Sequence, residues 1–249
     1  MSVTTRSGLA GTAAVLCAVA AGLAAPADAR DDPAETAKPG AVVVEMFLSQ
    51  ACNACPPAAA LMPALAQKPG VIALSWHIDY WNMTDSPHGR WVDPYSSAAY
   101  SERQRRYNLS LRKRSSVYTP QAVVNGVGES VGSSLEKIST LIASTAPAAR
   151  VDAMRDDKGL RFKVGETEKG GNAYLVTFRR HAATRITAGE NFGKTFDEIN
   201  IVTDVKPLGT VRRRGGALKA PAPAAGDGCA VIVQEPKQQR IVAAGLCPA

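Results

Sequence analysis

Two cysteines three residues apart, in Cys52-Asn53-Ala54-Cys55, are the residues of this chain best suited to chemistry. They stand directly behind the apolar run Val42-Val43-Val44-Glu45-Met46-Phe47-Leu48 and directly ahead of a helix-like stretch rich in alanine and leucine. Two thiols at this spacing, where a buried strand turns into a helix, can close a small disulfide ring and open it again. Backbone N–H groups at the start of the helix favour a thiolate on the first of them. Cys52, expected to be exposed, then reads as the nucleophile, and Cys55, one turn in, as the resolving thiol. A structural bridge and half of a zinc site are the competing readings. Zinc needs a second close pair or suitably spaced histidines, and Cys229 and Cys247 do not supply that spacing.

Other residues bear on the same chemistry. Thr119-Pro120 stands just before the short strand 121–124, and a proline there suits a turn with a cis peptide bond as well as it suits an ordinary loop. In the first case the loop can approach the cysteines, pair its backbone with an extended substrate and keep metals off the thiols. Glu45, on the strand leading to the cysteines, is either a buried proton acceptor for Cys55 or a strand carboxylate paired with a cation. His77 and Asp79 share one face of the next strand. A hydrogen-bonded structural contact is the favoured reading, with soft-metal binding by Cys52, Cys55 and His77, copper above all, as the alternative. Trp76 and Trp81 read as core and cleft wall.

The elements that must position these residues follow from pattern. The runs 41–48 and 71–79 are strand-like, and a helix between them, opened by Pro56 and Pro57 in its first turn, completes a βαβ unit. Residues 80–116 read as an insertion, with a Trp/Asp/Pro/Gly loop and then a helix over about 96–113 that carries Tyr100, Gln104, Tyr107 and Leu111 on one face. Asn125-Gly126 signals a hairpin. Ser133-x-x-Glu136 is a capping box for a helix through Leu135, Ile138 and Ile142. Beyond residue 150 the segments 160–164, 174–178, 199–205, 230–234 and 241–244 read as strands, and 217–228 as an exposed loop. Cys229 and Cys247 bracket the last hairpin, so their pairing would tie its open end.

The start of the chain reads as an export signal over 1–29. Arg6 supplies charge, 8–25 is almost wholly apolar, and Ala27-Asp28-Ala29 offers a cleavage pattern. A polar, proline-bearing flexible leader follows over 30–40. A membrane span is disfavoured because the apolar stretch is alanine-rich and short of ~20 strongly apolar residues. Cys17, preceded by leucine, lacks a lipid-acceptor pattern. The four cysteines outside the signal fit an oxidising compartment, periplasmic or extracellular. The net charge of +7 would favour acidic partners, though a solvated basic surface is the plainer reading.

The order strand, CxxC, helix, strand, then Thr-Pro, strand, Asn-Gly hairpin and final helix resembles the thioredoxin-like fold. More narrowly, five stretches resemble a family of exported bacterial proteins classed as domain of unknown function twelve-twenty-three. They are Val44-Glu45-Met46-Phe47-Leu48-Ser49-Gln50, Cys52-x-x-Cys55-Pro56-Pro57, His77-Ile78-Asp79-Tyr80-Trp81, Glu102-Arg103-Gln104-x-x-Tyr107 and Val117-Tyr118-Thr119-Pro120-Gln121-x-Val123-Val124-Asn125-Gly126. The resemblance is strong over about 41–145 and extends weakly into the tail through Gly189-Glu190-Asn191. It implies an α/β thioredoxin-like domain over 41–149 with a helical insertion at about 80–116, followed by a smaller β-rich domain over 150–249, and a redox-type site. The family carries no settled activity. The loop 84–90, the basic Arg112-Lys113-Arg114 and the terminal cysteine pair depart from the family pattern.

Three functions are compatible with these residues. In a thiol-disulfide oxidoreductase Cys52 attacks, Cys55 resolves, and Pro120 with Thr119 and Tyr118 holds the substrate chain. The dithiol carries the electrons, so no cofactor is required. Its partners would be protein thiols or disulfides, or a redox partner protein. The second is a copper carrier using the same cysteines and His77, and the third a non-catalytic binding module with a locked disulfide. Nucleic acid is a poor partner, given export and the lack of an interleaved aromatic-basic motif. No stable membrane insertion is expected after cleavage.

Overall fold

Strand β1 (Val42–Leu48) is buried along its whole length, which requires cover on both faces. Val42, Val44, Met46 and Leu48 pack with Ala58, Ala59, Met62 and Leu65 of helix α1 (Pro56–Ala66). Val43 and Phe47 join the opposite cluster, which contains Tyr100 and Tyr107 of helix α2 (Ala98–Leu111). The computed structural model describes residues 40–237 and 240–248. The expected signal, Cys17 and nearly all of the expected leader lie outside the described residues.

Strand β2 (Val71–His77) runs parallel to β1 in continuous register from Val42↔Val71 to Leu48↔His77. Strand β3 (Gln121–Val124) takes the other edge of β1 in antiparallel sense, and β4 (Gly128–Val131) pairs with β3. Asn125 and Gly126 between them have φ of 46° and 67°, as a tight hairpin turn demands. Helix α3 (Leu135–Ser144) is capped one residue later than the sequence pattern implies. The Ser134 side chain, not that of Ser133, accepts from the Lys137 N–H.

The remaining strands are β5 (Ala149–Asp156), β6 (Gly159–Val164), β7 (Gly171–Arg185), β8 (Thr195–Val211), β9 (Gly216–Ala220), β10 (Asp227–Gln234) and β11 (Ile241–Leu246). Among the described residues the eleven strands follow the order β4-β3-β1-β2-β8-β7-β10-β11-β5-β6-β9, accompanied by three helices. This large mixed sheet corrects the expected α/β thioredoxin-like domain with a helical insertion and a smaller β-rich domain after it. The physical reason lies at the edge of β2. An open edge leaves a row of unpaired backbone groups, and β8 adds to it in parallel at Ser75↔Ile201. Side chains reinforce the join: Ser75 Oγ donates to the Ile199 carbonyl at 3.0 Å and Asn200 Nδ2 to the Ala73 carbonyl at 3.0 Å. Strands that read as a separate unit therefore continue the first sheet.

Two further expectations change. Part of the expected loop 217–228 is strand β9, paired along β6. Strands β7 and β8 have 15 and 17 residues, longer than expected. Their outer halves carry exposed charged residues such as Arg179 and Arg180, which hide a strand from apolar pattern. Register shifts at Ala173/Tyr174 and Thr177/Phe178 mark irregularities in this ribbon, and such bulges increase twist. Its outer end packs Ile186, Phe196 and Ile199 against the α1 side of β1.

Cys229 and Cys247 are joined by a disulfide spanning a sequence separation of 18. The Cys247 N–H also donates to the Cys229 carbonyl at 2.7 Å. A loop of this size restricts the unfolded chain by about 3 kcal/mol. Replacing both cysteines by serine should lower the free energy of unfolding by about that amount, measured as a lower urea midpoint, with an equal or steeper slope because the unfolded chain is less restricted.

Candidate functional site

The strand β1 delivers the chain to the site, and α1 begins immediately after it. Pro56 and Pro57 occupy the first turn of α1 and Cys55 is its N-cap. Prolines lack a backbone donor, and the first turn is where none is needed. The N–H groups left beside the thiols are those of Ala54 and Cys55, and both approach Cys52. The pair is present as free thiols, and both are buried. Cys52 is 1 % exposed, against the expectation of an exposed nucleophile. Asn53 and Ala54, between the thiols, are exposed.

The two thiols are electrostatically unequal. Cys52 accepts a hydrogen bond from Cys55, and this outweighs the opposing effect of burial. With Thr119 Oγ1 donating at 3.3 Å and the two backbone N–H groups, it brings the Cys52 pKa down to about 7. Burial, followed by the hydrogen bond and charge of Cys52, pushes Cys55 far up. One sulfur is thus prepared as a thiolate and its neighbour as the proton-bearing thiol.

The Thr119-Pro120 peptide bond is cis, and Thr119 lies on Cys52. Gly132 holds this loop in place. Its N–H donates to the Pro120 carbonyl at 2.8 Å, and a Cβ there would lie 2.5 Å from Met46 Sδ and 3.0 Å from Pro120 Cβ. Tyr118 is turned to other work. Its carbonyl accepts from Gln104 Nε2 at 2.7 Å, its hydroxyl donates to Glu129, and Arg112 lies 5.0 Å over its ring.

The cover over Cys52 comes from the tip of the β7–β8 ribbon. Asn191 Nδ2 donates to the carbonyls of Gln50 and Cys52 at 2.9 and 2.8 Å, and Glu190 accepts from the Asn53 N–H at 3.2 Å. A second loop, between β2 and α2, interlocks with this tip. His88 stacks on Phe192 at 4.4 Å, and Trp91 Nε1 donates to Gln50 Oε1 at 3.2 Å. Gln50 is held further by Asp93, which accepts from its N–H at 2.8 Å, and by Glu198, which accepts from its side-chain amide at 2.7 Å.

His77 sits behind this loop, fully buried. Its Nδ1 meets Asp93 Oδ2 at 2.8 Å and its Nε2 faces Glu198 Oε1 at 3.4 Å. The second contact is an ion pair without hydrogen-bond alignment, since neither atom has a hydrogen-bond partner. Burial works against the charged imidazole, but the carboxylates of Asp93 and Glu198 prevail and raise the His77 pKa to about 9. The sequence pattern pairs His77 with Asp79 in a structural contact; His77 is indeed held structurally, but by Asp93 and Glu198, not by Asp79. Its two ring nitrogens face Asp93 and Glu198 and are not presented beside the thiols as a metal ligand. Among the described residues no group of three or more His, Cys, Asp or Glu is arranged to hold a metal ion.

Glu45 lies away from the thiols. Val44 and Met46 on either side of it belong to the cysteine cluster, whereas its own neighbours are on the α2 face. Arg103 Nε and Nη2 donate to its two oxygens at 2.6 and 3.1 Å, and the Tyr107 hydroxyl donates to it as well. Arg103 also stacks over Trp76 at 4.7 Å. Of the two readings of Glu45, the carboxylate paired with a cation is the one found. Asp79 accepts from Ser101 and is likewise structural.

The site is therefore a closed dithiol under a two-loop cover, built from Cys52, Cys55, Thr119 and cis-Pro120. The family model described as protein of unknown function (DUF1223) matches residues 43–234, and the chain belongs to that family. It is similar to the crystal structure of protein AGR_C_4864 from Agrobacterium tumefaciens, at 26% identity and a TM-score of 0.73, over 84% of this chain and 95% of that one. HBP35 of Porphyromonas gingivalis shares the fold alone, at 12% identity and a TM-score of 0.55, over 84% of this chain and 74% of that one. No curated protein matches.

Sequence reasoning placed Gln50 and Asn191 within family-like stretches but gave them no role, and it missed Asp93 and Glu198. A glutamine two residues before Cys52, in the turn that follows the largely apolar β1, was the one local signal. The partners come from 43 to 148 residues away.

The His77 cluster gives a pH dependence of definite sign. A folded-state pKa of about 9 against an ordinary 6.5 means stabilisation fully present below about pH 6.5 and lost as pH rises through 9. Urea unfolding at pH 6 and pH 9.5 should show wild type losing on the order of 3 kcal/mol more than His77→Gln over that interval.

Proposed function

We propose that this protein carries out thiol-disulfide exchange with disulfide-bonded protein substrates or a redox partner protein. The observation that carries the reading is the unequal surroundings of the thiols: Cys52 accepts from Thr119 Oγ1, Cys55 and two backbone N–H groups, which bring its pKa to about 7 and make it roughly half thiolate there, while burial keeps the proton on Cys55. An inert bridge has no need of that difference, and an attacking thiol works best with a pKa near the ambient pH.

In the first step the Cys52 thiolate attacks one sulfur of a substrate disulfide. The Cys52–substrate S–S bond forms, the substrate S–S bond breaks, and the departing sulfur leaves as a thiolate. In the second, Cys55 gives up its proton and attacks Cys52, forming the Cys52–Cys55 disulfide and releasing the second substrate sulfur. The substrate gains two electrons and two protons, and the dithiol loses them. No organic cofactor takes part. The reverse sequence oxidises a substrate dithiol, and the reduction potential decides the direction.

Thr119 serves the attacking sulfur through its hydroxyl, and the Gly132 N–H on the Pro120 carbonyl holds the loop that carries it. The rim available to a partner is the exposed Asn53-Ala54 segment. An oxidising setting, periplasmic or extracellular, is part of the proposal. It is supported by the Cys229–Cys247 disulfide and by the signal pattern at residues 1–29. His77, held between carboxylates, supports no copper-carrier reading.

Trapping tests the proposal. Cys55→Ser, incubated with a disulfide-bonded peptide, should accumulate a mixed disulfide at Cys52 detectable by non-reducing mass spectrometry, and Cys52→Ser should accumulate none. If Cys55→Ser reacts with iodoacetamide at Cys52 yet captures no peptide, the proposal fails and the binding-module reading replaces it.

A further inference from the structure

Trp81 follows β2 in the loop leading to α2 and is half-buried, touching the clusters on both faces of the sheet. Its indole Nε1 donates to Thr119 Oγ1 at 2.6 Å. An indole nitrogen can only donate, whereas a hydroxyl has one proton and two lone pairs. With one lone pair occupied by the indole, the hydroxyl proton must point elsewhere. Cys52 Sγ accepts it at 3.3 Å, with Cys55 and the Tyr80 hydroxyl the other groups beside Thr119.

We propose that Trp81 is a positioning residue for the reactive thiol: it orients the Thr119 hydroxyl so that the hydroxyl donates to Cys52. This rests on the exchange reading of the site above. Without the indole, Thr119 is a free rotor that can also accept from the Cys52 thiol, which favours the protonated form. With it, one of the two acceptor positions is taken, so the hydroxyl is biased toward donating to the sulfur, which favours the thiolate. The difference matters because a hydrogen bond to an ionised acceptor is roughly twice as strong as a neutral one.

Four groups face Cys52 from the surrounding elements. Cys55 donates from the start of α1, and Thr119 approaches from the loop before β3. Glu190 of the ribbon tip lies on the neighbouring Asn53 N–H. Tyr80, next to Trp81, also faces Thr119 and both thiols; its hydroxyl donates to Gln104 Oε1 at 3.1 Å, and burial first, then the nearby thiols, keeps it neutral. Tyr80 and Cys55 are thus rival acceptors for the Thr119 proton, and an ionised sulfur outcompetes a neutral phenol or thiol.

The experiment follows the pH dependence of iodoacetamide alkylation at Cys52, read by mass spectrometry together with thiolate absorbance. Trp81→Phe should move the Cys52 profile upward by about one pH unit and slow alkylation at pH 6 by about tenfold. Thr119→Val should do the same, and Trp81→Phe in the Thr119→Val background should add no further shift, because the indole acts only through that hydroxyl. Should Trp81→Phe fail to fold, benzothienylalanine at position 81, which replaces only the N–H by sulfur, takes its place with the same expectation. An unchanged profile, or a Trp81 shift that persists without the Thr119 hydroxyl, overturns the inference. Peptide capture by Cys55→Ser separates this from the parent reading: capture with an unshifted profile sinks only the role of Trp81, and a shifted profile without capture sinks only the exchange reaction.

Discussion

Everything near the thiols depends on Gln50 being held at four points. Its backbone N–H meets Asp93, its carbonyl Asn191, its side-chain oxygen Trp91 and its side-chain nitrogen Glu198. A fully buried glutamine is tolerable only when so satisfied, since each hydrogen bond adds about 1 kcal/mol net but an orphaned buried group costs about 1–3 kcal/mol. The four partners come from two places: Trp91 and Asp93 from the loop before α2, Asn191 and Glu198 from the end of the β7–β8 ribbon. The residue two before Cys52 therefore ties both loops to the start of α1.

The charges behind Gln50 follow from that arrangement. Asp93 and Glu198 each reach Gln50 and also flank His77. Two carboxylates in one buried space repel each other, and the protonated imidazole between them offsets this. A second buried ionic group, Glu45 with Arg103 and Tyr107, lies on the other face of β1 and fixes α2 there. Breaking either by removing one partner leaves an unpaired buried charge. The sheet thus separates two polar knots, one that supports the thiols and one that supports α2.

Local pattern made some of this legible. The buried β1, apolar but for Glu45, the prolines at the start of α1, the Asn125-Gly126 turn and the face of α2 through Tyr100, Gln104 and Tyr107 can each be read from a few neighbouring residues, and the structure has them all. The pairing of Cys229 with Cys247 was legible from their flanking of the last hairpin. The overall architecture was not, because it turns on β8 pairing with β2 through one bridge and on Asn200, whose φ of 49° allows its side chain to reach Ala73. No periodicity encodes such a join. Within the site, the spacing of Cys52 and Cys55 marked the place, and of the two readings left open for Thr119-Pro120 the cis turn beside the cysteines is the one found. Burial of Cys52 was not legible, since its cover arrives from residues 190 and 191. Glu45 was undecidable from sequence because its cation, Arg103, is a full turn of fold away.

The most direct test of the account is the reduction potential of the Cys52–Cys55 pair, resolved from Cys229–Cys247 by equilibrating the protein in glutathione buffers and counting alkylated thiols at each site by mass spectrometry. The account predicts a value between about −270 and −120 mV, the range of exchanging dithiols, with Cys229–Cys247 remaining oxidised. A value for Cys52–Cys55 below about −300 mV would mark a bridge that resists the glutathione pool and would contradict it.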